Sequence, residues 1–258
     1  MSNAFVTFEF RGQRYDYDGG LPAEVVDAVP ELYSRREAYN VREKGSDAVR
    51  TNFAAHMYSK PFAKLARHPR MVEPVQDLFD EKLYMHQFKI NGKMAFEGDV
   101  WQWHQDYGTW HRDDGMPEPR AMNVAIFLDE VNEFNGPLYF IPGSHKEGVV
   151  EAGHDLGTTS YPLWTIDNDT ITRLVAEGGI IAPKGPAGSM MMFHCNLVHA
   201  SGSNMTPWNR TITAHRRFAM RSASLDTLKA LKTASGGTVN DIVMAICTGA
   251  LRTYLQQH

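Results

Sequence analysis

A chain of 258 residues with 43% apolar content and a net charge of −4 can bury one sizeable core, and all-β barrels of this length commonly form a single main domain. The mild acidity and the lack of a Lys/Arg-rich block exclude a nucleic-acid backbone as partner, and no stretch reaches the roughly 18 apolar residues of a membrane span. The opening Met1-Ser2-Asn3-Ala4-Phe5 lacks the character of a signal peptide, and Cys195 and Cys247 form no disulfide framework, so a cytoplasmic protein with both thiols in its core is expected.

Residues 5–17 alternate apolar and polar like a strand, whereas residues 22–79 carry helix-length apolar patterns, so the opening third reads as mixed. From Leu83 the texture becomes β. Tyr84 to Ile90 predicts a strand ending at an Asn91-Gly92 turn, and Asp99 to His104 predicts the next. Met122 to Leu128, Leu138 to Ile141 and Gly188 to Phe193 continue this rhythm between Gly, Pro and Asn punctuation, as in a sandwich or jelly roll. One helix interrupts it, from Asn168 to Ala176, closed by Gly178-Gly179. After Ser222 the pattern is helical again, Leu225 to Leu231 and Val239 to Leu255, with Thr238 as a cap for the second helix.

Chemistry concentrates in Trp103-His104-Gln105-Asp106, in Val198-His199-Ala200-Ser201 and at Arg210. Two imidazoles and a carboxylate on one face of an octahedral ion leave three positions for a co-substrate and O₂, the arrangement of a non-haem iron(II) site. A His-x-Asp triplet alone is weak, because chance supplies about one in a chain of this composition. A second, His111-Arg112-Asp113, precedes the turn-forming run Asp114-Gly115-Met116-Pro117, whereas His104 closes an aromatic alternating strand in which residues two apart share a side. The third ligand must come from a distant strand. His194 and His199, five apart, face opposite sides of an unbroken strand, so only one can serve. Arg210, eleven positions beyond His199, could receive the distal carboxylate of 2-oxoglutarate in a bidentate pair, and that pairing selects His199.

The run from Trp103 to Pro117 resembles the signature of the phytanoyl-CoA dioxygenase family, particularly its ectoine hydroxylase-like branch. Asn135-Gly136-Pro137-Leu138, Pro142-Gly143-Ser144-His145-Lys146 and Phe193 to His199 extend the resemblance over about residues 50–212. It implies a mainly β fold with flanking helices, the double-stranded β-helix or cupin-like jelly roll. It further implies iron(II) on His104, Asp106 and His199, and 2-oxoglutarate anchored by Arg210 with help from Gln87, Asn91 and Ser201. Trp110 would line a substrate pocket. The activity implied is O₂-dependent hydroxylation of an unactivated C–H bond, with 2-oxoglutarate converted to succinate and CO₂. The carboxylate at Asp106 leaves no chloride site beside iron and disfavours halogenation. The substrate class expected is a small polar amino acid or derivative.

The tail departs from that family. Residues 214–258 resemble an internal piece of the wax ester synthase/diacylglycerol acyltransferase family, but the His-His-x-x-x-Asp-Gly motif of that family is absent from the chain. The domains expected are therefore an oxygenase domain over 1–213 and a helical extension over 214–258, which either completes the barrel or follows a truncation. Val239, Val243, Ile246 and Leu251 would give the last helix an apolar face that docks on the barrel or pairs two copies as a homodimer. Three readings follow: the oxygenase, a non-catalytic metal-binding jelly roll or inactive fusion product, and an acyltransferase-like interaction module.

Overall fold

The computed structural model of the chain describes residues 6–10, 13–17, 21–205 and 224–257. Two compact units are present, Met1–Thr211 and Ile212–His258. The elements of the first, in chain order, begin with β1 (Val6–Phe10), β2 (Gln13–Tyr17), α1 (Ala23–Ser34), β3 (Asn40–Arg42), β4 (Val49–Phe53), α2 (Ala55–Tyr58), α3 (Lys60–Leu65) and α4 (Pro69–Phe79). They continue with β5 (Lys89–Asn91), β6 (Trp101–His104), α5 (Asp106–Asp113), β7 (Met122–Ile126), β8 (Leu138–Phe140), β9 (Gly153–Asp155), β10 (Leu163–Thr165), α6 (Asn168–Gly178), β11 (Met190–His194) and β12 (His199–Ser201). The fold is the double-stranded β-helix with flanking helices, as expected from the sequence.

Short antiparallel sheets build the barrel: β3-β4-β5, β7 with β11, and β6-β12-β8. Three buried clusters hold it together. Val25, Leu32, Phe62 and Ile90 join α1 and α3 to β5; Ile141, Ile166, Leu174 and Val198 pack α6 beneath β12; Tyr107, Trp110, Met116 and Cys195 fix α5. Each fully buried aliphatic or aromatic side chain of this kind contributes about 1.5–3 kcal/mol. Helix α6 starts as its sequence dictates, with the Asp167 side chain accepting from Thr170 N at 2.9 Å.

Four expectations change. The alternating stretch over 5–17 is not one strand but the hairpin β1-β2. Residues 22–79, read as helix-length patterns within a mixed third, also contain the β3-β4 hairpin, whose buried residues include Asn40, Arg50, Thr51 and Asn52. Asn52 Nδ2 donates to Asn40 Oδ1 at 2.6 Å and Arg50 pairs with Glu43 at 3.2 Å, so burial there carries no apolar signature. Asn91-Gly92 is not a hairpin turn. Asn91 pairs with Thr51 inside the sheet and Gly92 N donates to Arg50 O; the strand begins at Lys89 rather than Tyr84, with Phe88 O accepting from Ala54 N at 2.9 Å. A Cβ at Gly92 would lie 2.2 Å from Val49 O, which is why glycine stands there. Cys195 is buried as expected, but Cys247 is exposed.

The second unit contains α7 (Leu225–Ser235) and α8 (Val239–Gln257). Asp241 N donates to Thr238 Oγ1 at 3.1 Å and Thr238 N donates to Asp241 Oδ2 at 2.7 Å, a reciprocal cap. Val243 and Ile246 are exposed.

Candidate functional site

His104 ends β6 and Asp106 opens α5, so the two do not share a strand face as the triplet spacing suggests. The chain instead turns from extended to helical at Gln105. That turn brings Asp106 Oδ1 to 3.9 Å from His104 Nε2 and Asp106 Oδ2 to 3.5 Å from His199 Nε2. One ligand atom from each of His104, Asp106 and His199 lies within 4.8 Å of the others, and all three residues are buried. A helix N-terminus also favours the Asp106 carboxylate, through its free N–H groups and dipole. The decoy triplet falls inside α5, where residues two apart point about 200° around the axis from each other, so His111 and Asp113 cannot chelate together.

β12 brings in the third ligand. His199 pairs with His104 and Ser201 with Trp101, so two steps on β12 face three on β6. The irregularity turns Trp101 and His104 to one side, alongside His199 and Ser201. His194 ends β11 before a turn and accepts from Asn196 N at 3.1 Å; it lies apart from this face.

Both ligating imidazoles are oriented by the backbone. His104 Nδ1 donates to Gln102 O at 2.6 Å and His199 Nδ1 donates to Leu197 O at 2.9 Å, which leaves each Nε2 lone pair for an ion. Burial, with the neighbouring His199 second, pushes the His104 pKa down to about 3, so the ring is neutral and ready to ligate at neutral pH. Burial opposes ionisation of Asp106, yet His199, Lys89 and His104 hold its carboxyl below the usual range. The donor set of two imidazole nitrogens and one carboxylate, with orienting hydrogen bonds, fits iron(II). Phe193 and Phe140 wall His199, with ring centroids 5.2 and 6.0 Å away.

Gln105 supports the site from the opposite side. Its Nε2 donates to Asn196 O at 2.7 Å and Gly148 O at 2.8 Å, and its Oε1 accepts from Val150 N at 2.9 Å. The middle residue of the triplet thus ties the ligand-bearing turn to two loops, a role that its sequence position does not advertise.

Among the remaining expected residues, Ser201 is buried on the histidine face and its hydroxyl has no protein hydrogen-bond partner among the described residues. Gln87 is half-buried ahead of β5, and Asn91 is exposed at the end of β5. Trp110 is buried in the α5 cluster with its ring 5.0 Å from that of His86. Arg210 lies outside the described residues.

Lys89, between Gln87 and Asn91, is the residue that motif reasoning missed. Its ammonium has no hydrogen bond or ion pair among the described residues, and it lies 6.0 Å from the Phe53 ring centroid and 5.7 Å from that of Trp101. Burial draws its pKa below the usual lysine range, against the pull of Asp106 and Asp114. Its only sequence signal was its place midway between Gln87 and Asn91.

Known proteins resemble this chain over the unit that carries the site. The phytanoyl-CoA dioxygenase family model matches residues 18–212, and the wax ester synthase/diacylglycerol acyltransferase catalytic-domain model matches residues 186–243. An L-proline trans-4-hydroxylase of Streptomyces griseoviridis is 35% identical over 219 residues, covering 77% of this chain and 82% of that protein. An ectoine dioxygenase of Bordetella bronchiseptica is 37% identical over 187 residues, covering 70% of this chain; the chain spans only 60% of that relative. The crystal structure of EctD from S. alaskensis with 2-oxoglutarate and 5-hydroxyectoine superposes with a TM-score of 0.64 at 30% identity, over 80% of this chain and 68% of that one.

Proposed function

The chain belongs to the phytanoyl-CoA dioxygenase family, and on that footing we propose that it is an iron(II)- and 2-oxoglutarate-dependent dioxygenase that hydroxylates a C–H bond of a small amino acid or amino-acid derivative. The observation that carries this reading is the facial His104–Asp106–His199 set with both Nε2 atoms free. Iron bound there with 2-oxoglutarate supplies O₂ activation coupled to decarboxylation, giving succinate and CO₂. The residues of the chain do the rest. His104, Asp106 and His199 fix the coordination face. Ser201 offers an unspent hydroxyl to the co-substrate, with Arg210, Gln87 and Asn91 as its further partners. Trp110 lines the substrate side, and the Phe140 and Phe193 rings exclude water beside His199. Lys89, close enough to Asp106 to feel its charge and without a hydrogen bond or ion pair among the described residues, supports a substrate that brings its own carboxylate.

The deciding measurement is succinate formation from 2-oxoglutarate, with iron(II) and O₂, in the presence of candidate amino acids. His104→Ala and Arg210→Ala each abolish it; turnover that survives in either variant refutes the assignment of that residue. Bound metal with no decarboxylation under any condition would instead favour a non-catalytic metal-binding jelly roll.

The same reading divides the chain into an oxygenase domain over 1–213 and a helical extension over 214–258, and it places the protein in the cytoplasm, in keeping with free Cys195 and Cys247. Exposed Val243 and Ile246 support a homodimer formed through α8. Removal of residues 214–258 turns the dimer into a monomer in light scattering; an unchanged mass and solubility would sink that part of the reading.

A further inference from the structure

The loop between β9 and β10 is pinned more firmly than a connector needs. At its start Asp155 Oδ2 accepts from Gln102 Nε2 at 3.0 Å, which ties it to the strand that carries His104. Asp155 Oδ1 also caps the turn, accepting from Gly157 N and Thr158 N at 3.0 and 2.9 Å. Lys44 Nζ donates to Gly157 O in mid-loop. Near its end the Ser160 hydroxyl donates to Glu43 Oε2 at 2.8 Å and accepts from Lys44 N at 2.6 Å. Glu43 is itself held in a buried ion pair with Arg50 at 3.2 Å and accepts from Asp99 N at 2.9 Å. Removing one partner of such a buried pair is strongly destabilising, because it leaves a buried charge uncompensated.

What this anchoring positions is Tyr161. Its ring lies 5.7 Å from the Phe53 ring and 5.6 Å from the Trp101 ring, the same two rings that flank the Lys89 ammonium. Trp101 in turn lies 6.3 Å from the His104 ring and under the Arg50 guanidinium at 4.2 Å. The Tyr161 hydroxyl makes no hydrogen bond among the described residues, and burial, then Asp114, Asp113 and Asp106, raises its pKa, which keeps it protonated as a donor. A donor O–H and an ammonium that share one aromatic wall beside the metal ligands match a single carboxylate.

We propose that Tyr161 is a substrate-binding residue whose hydroxyl donates to the carboxylate of a small zwitterion held by Lys89, and that Ser160, through Glu43, is the positioning residue that holds Tyr161 there. This deepens the dioxygenase reading and rests on it. The test uses the full chain with iron(II), 2-oxoglutarate and the zwitterions L-proline and ectoine, alongside L-prolinamide. One or both zwitterions should stimulate 2-oxoglutarate consumption above the substrate-free rate, with the amide weaker than its acid. In Tyr161→Phe the KM of the stimulating zwitterion should rise about tenfold or more, the scale of a hydrogen bond to a charged group, with the KM for 2-oxoglutarate unchanged. In Ser160→Ala, metal-free protein should exchange amide hydrogens faster over residues 156–161, and the zwitterion KM should rise in the same direction. Stimulation by neither zwitterion with substrate-free turnover intact, or an unchanged KM in Tyr161→Phe, overturns the proposal and leaves the oxygenase standing. Unaltered exchange in Ser160→Ala overturns the positioning role. Absence of any 2-oxoglutarate turnover falls instead on the dioxygenase reading.

Discussion

Acidifying the metal-free protein from pH 7 to pH 5 is expected to remove about 2 kcal/mol of stability through His104 alone. The residue is 4% exposed, and burial first, with His199 second, takes its pKa from 6.5 to about 3 in the folded chain. Between those values the unfolded chain binds a proton that the folded chain refuses, so stability rises with pH across the window and is lost as pH falls below 6.5. The slope approaches about 1.4 kcal/mol per pH unit, and the 1.5 units from 6.5 down to 5 give the figure above. The Asp106 carboxyl acts in the same direction, but its lowered pKa removes stability only below its unfolded value of 3.8, outside this window. His56 and His194, also lowered by burial, add to the wild-type slope, so the quantity to measure is the difference between wild type and His104→Gln. Urea titrations of chelator-treated protein at pH 7, 6 and 5 supply it, followed by tryptophan fluorescence. Trp101, Trp103, Trp110, Trp164 and Trp208 all precede residue 212, so the signal reports the oxygenase unit. A difference that stays flat from pH 7 to pH 5 would refute the claim that burial keeps this ring neutral.

Gln105→Ala removes three hydrogen bonds and strands two carbonyls and one N–H, a loss of about 2–4 kcal/mol readable in the same urea titration at pH 7. Because those bonds hold the turn between His104 and Asp106, iron(II) affinity measured by calorimetry falls as well; a variant that keeps wild-type affinity shows the clamp to be dispensable. Gly92→Ala sets a methyl group against Val49 O and is expected to cost about 1–3 kcal/mol as β4 and β5 part, with a lowered midpoint as the check.

The parts of the site visible in the sequence were those carried by periodicity or by an unusual residue type. The strand ending at His104 and those over 122–126, 138–140 and 190–194 alternate or are strongly apolar, and α6 has its cap and its closing glycines. What stayed hidden was polar burial. Asn40, Glu43, Arg50 and Asn52 look like surface residues until hydrogen bonds and an ion pair place them inside. The Asn91-Gly92 pair misled for a related reason, because glycine answers equally to a turn and to a close backbone approach, and only the tertiary contact with Val49 decides. Lys89 carries no motif at all. Its meaning comes from two rings and two carboxylates contributed by distant elements.

The charges of the pocket explain why these residue types occur together. With His104 neutral, the Asp106 carboxylate faces Lys89 in the metal-free site, and Asp114 acts on the same lysine. A divalent ion on the His104–Asp106–His199 face adds two positive charges in a setting where Coulomb terms are several-fold larger than in water. A dicarboxylate such as 2-oxoglutarate offsets that added charge, whereas a zwitterion does not. The zwitterion fits afterwards, with its carboxylate toward Lys89. Retention of 2-oxoglutarate on the protein should therefore depend steeply on the ion, and replacing Asp106 by Asn should weaken the ion while making any metal-bound pocket more attractive to anions. A variant Asp106→Asn that loses metal and yet binds 2-oxoglutarate as tightly as the metal-loaded wild type would show that the carboxylate, not the ion, sets anion affinity in this pocket.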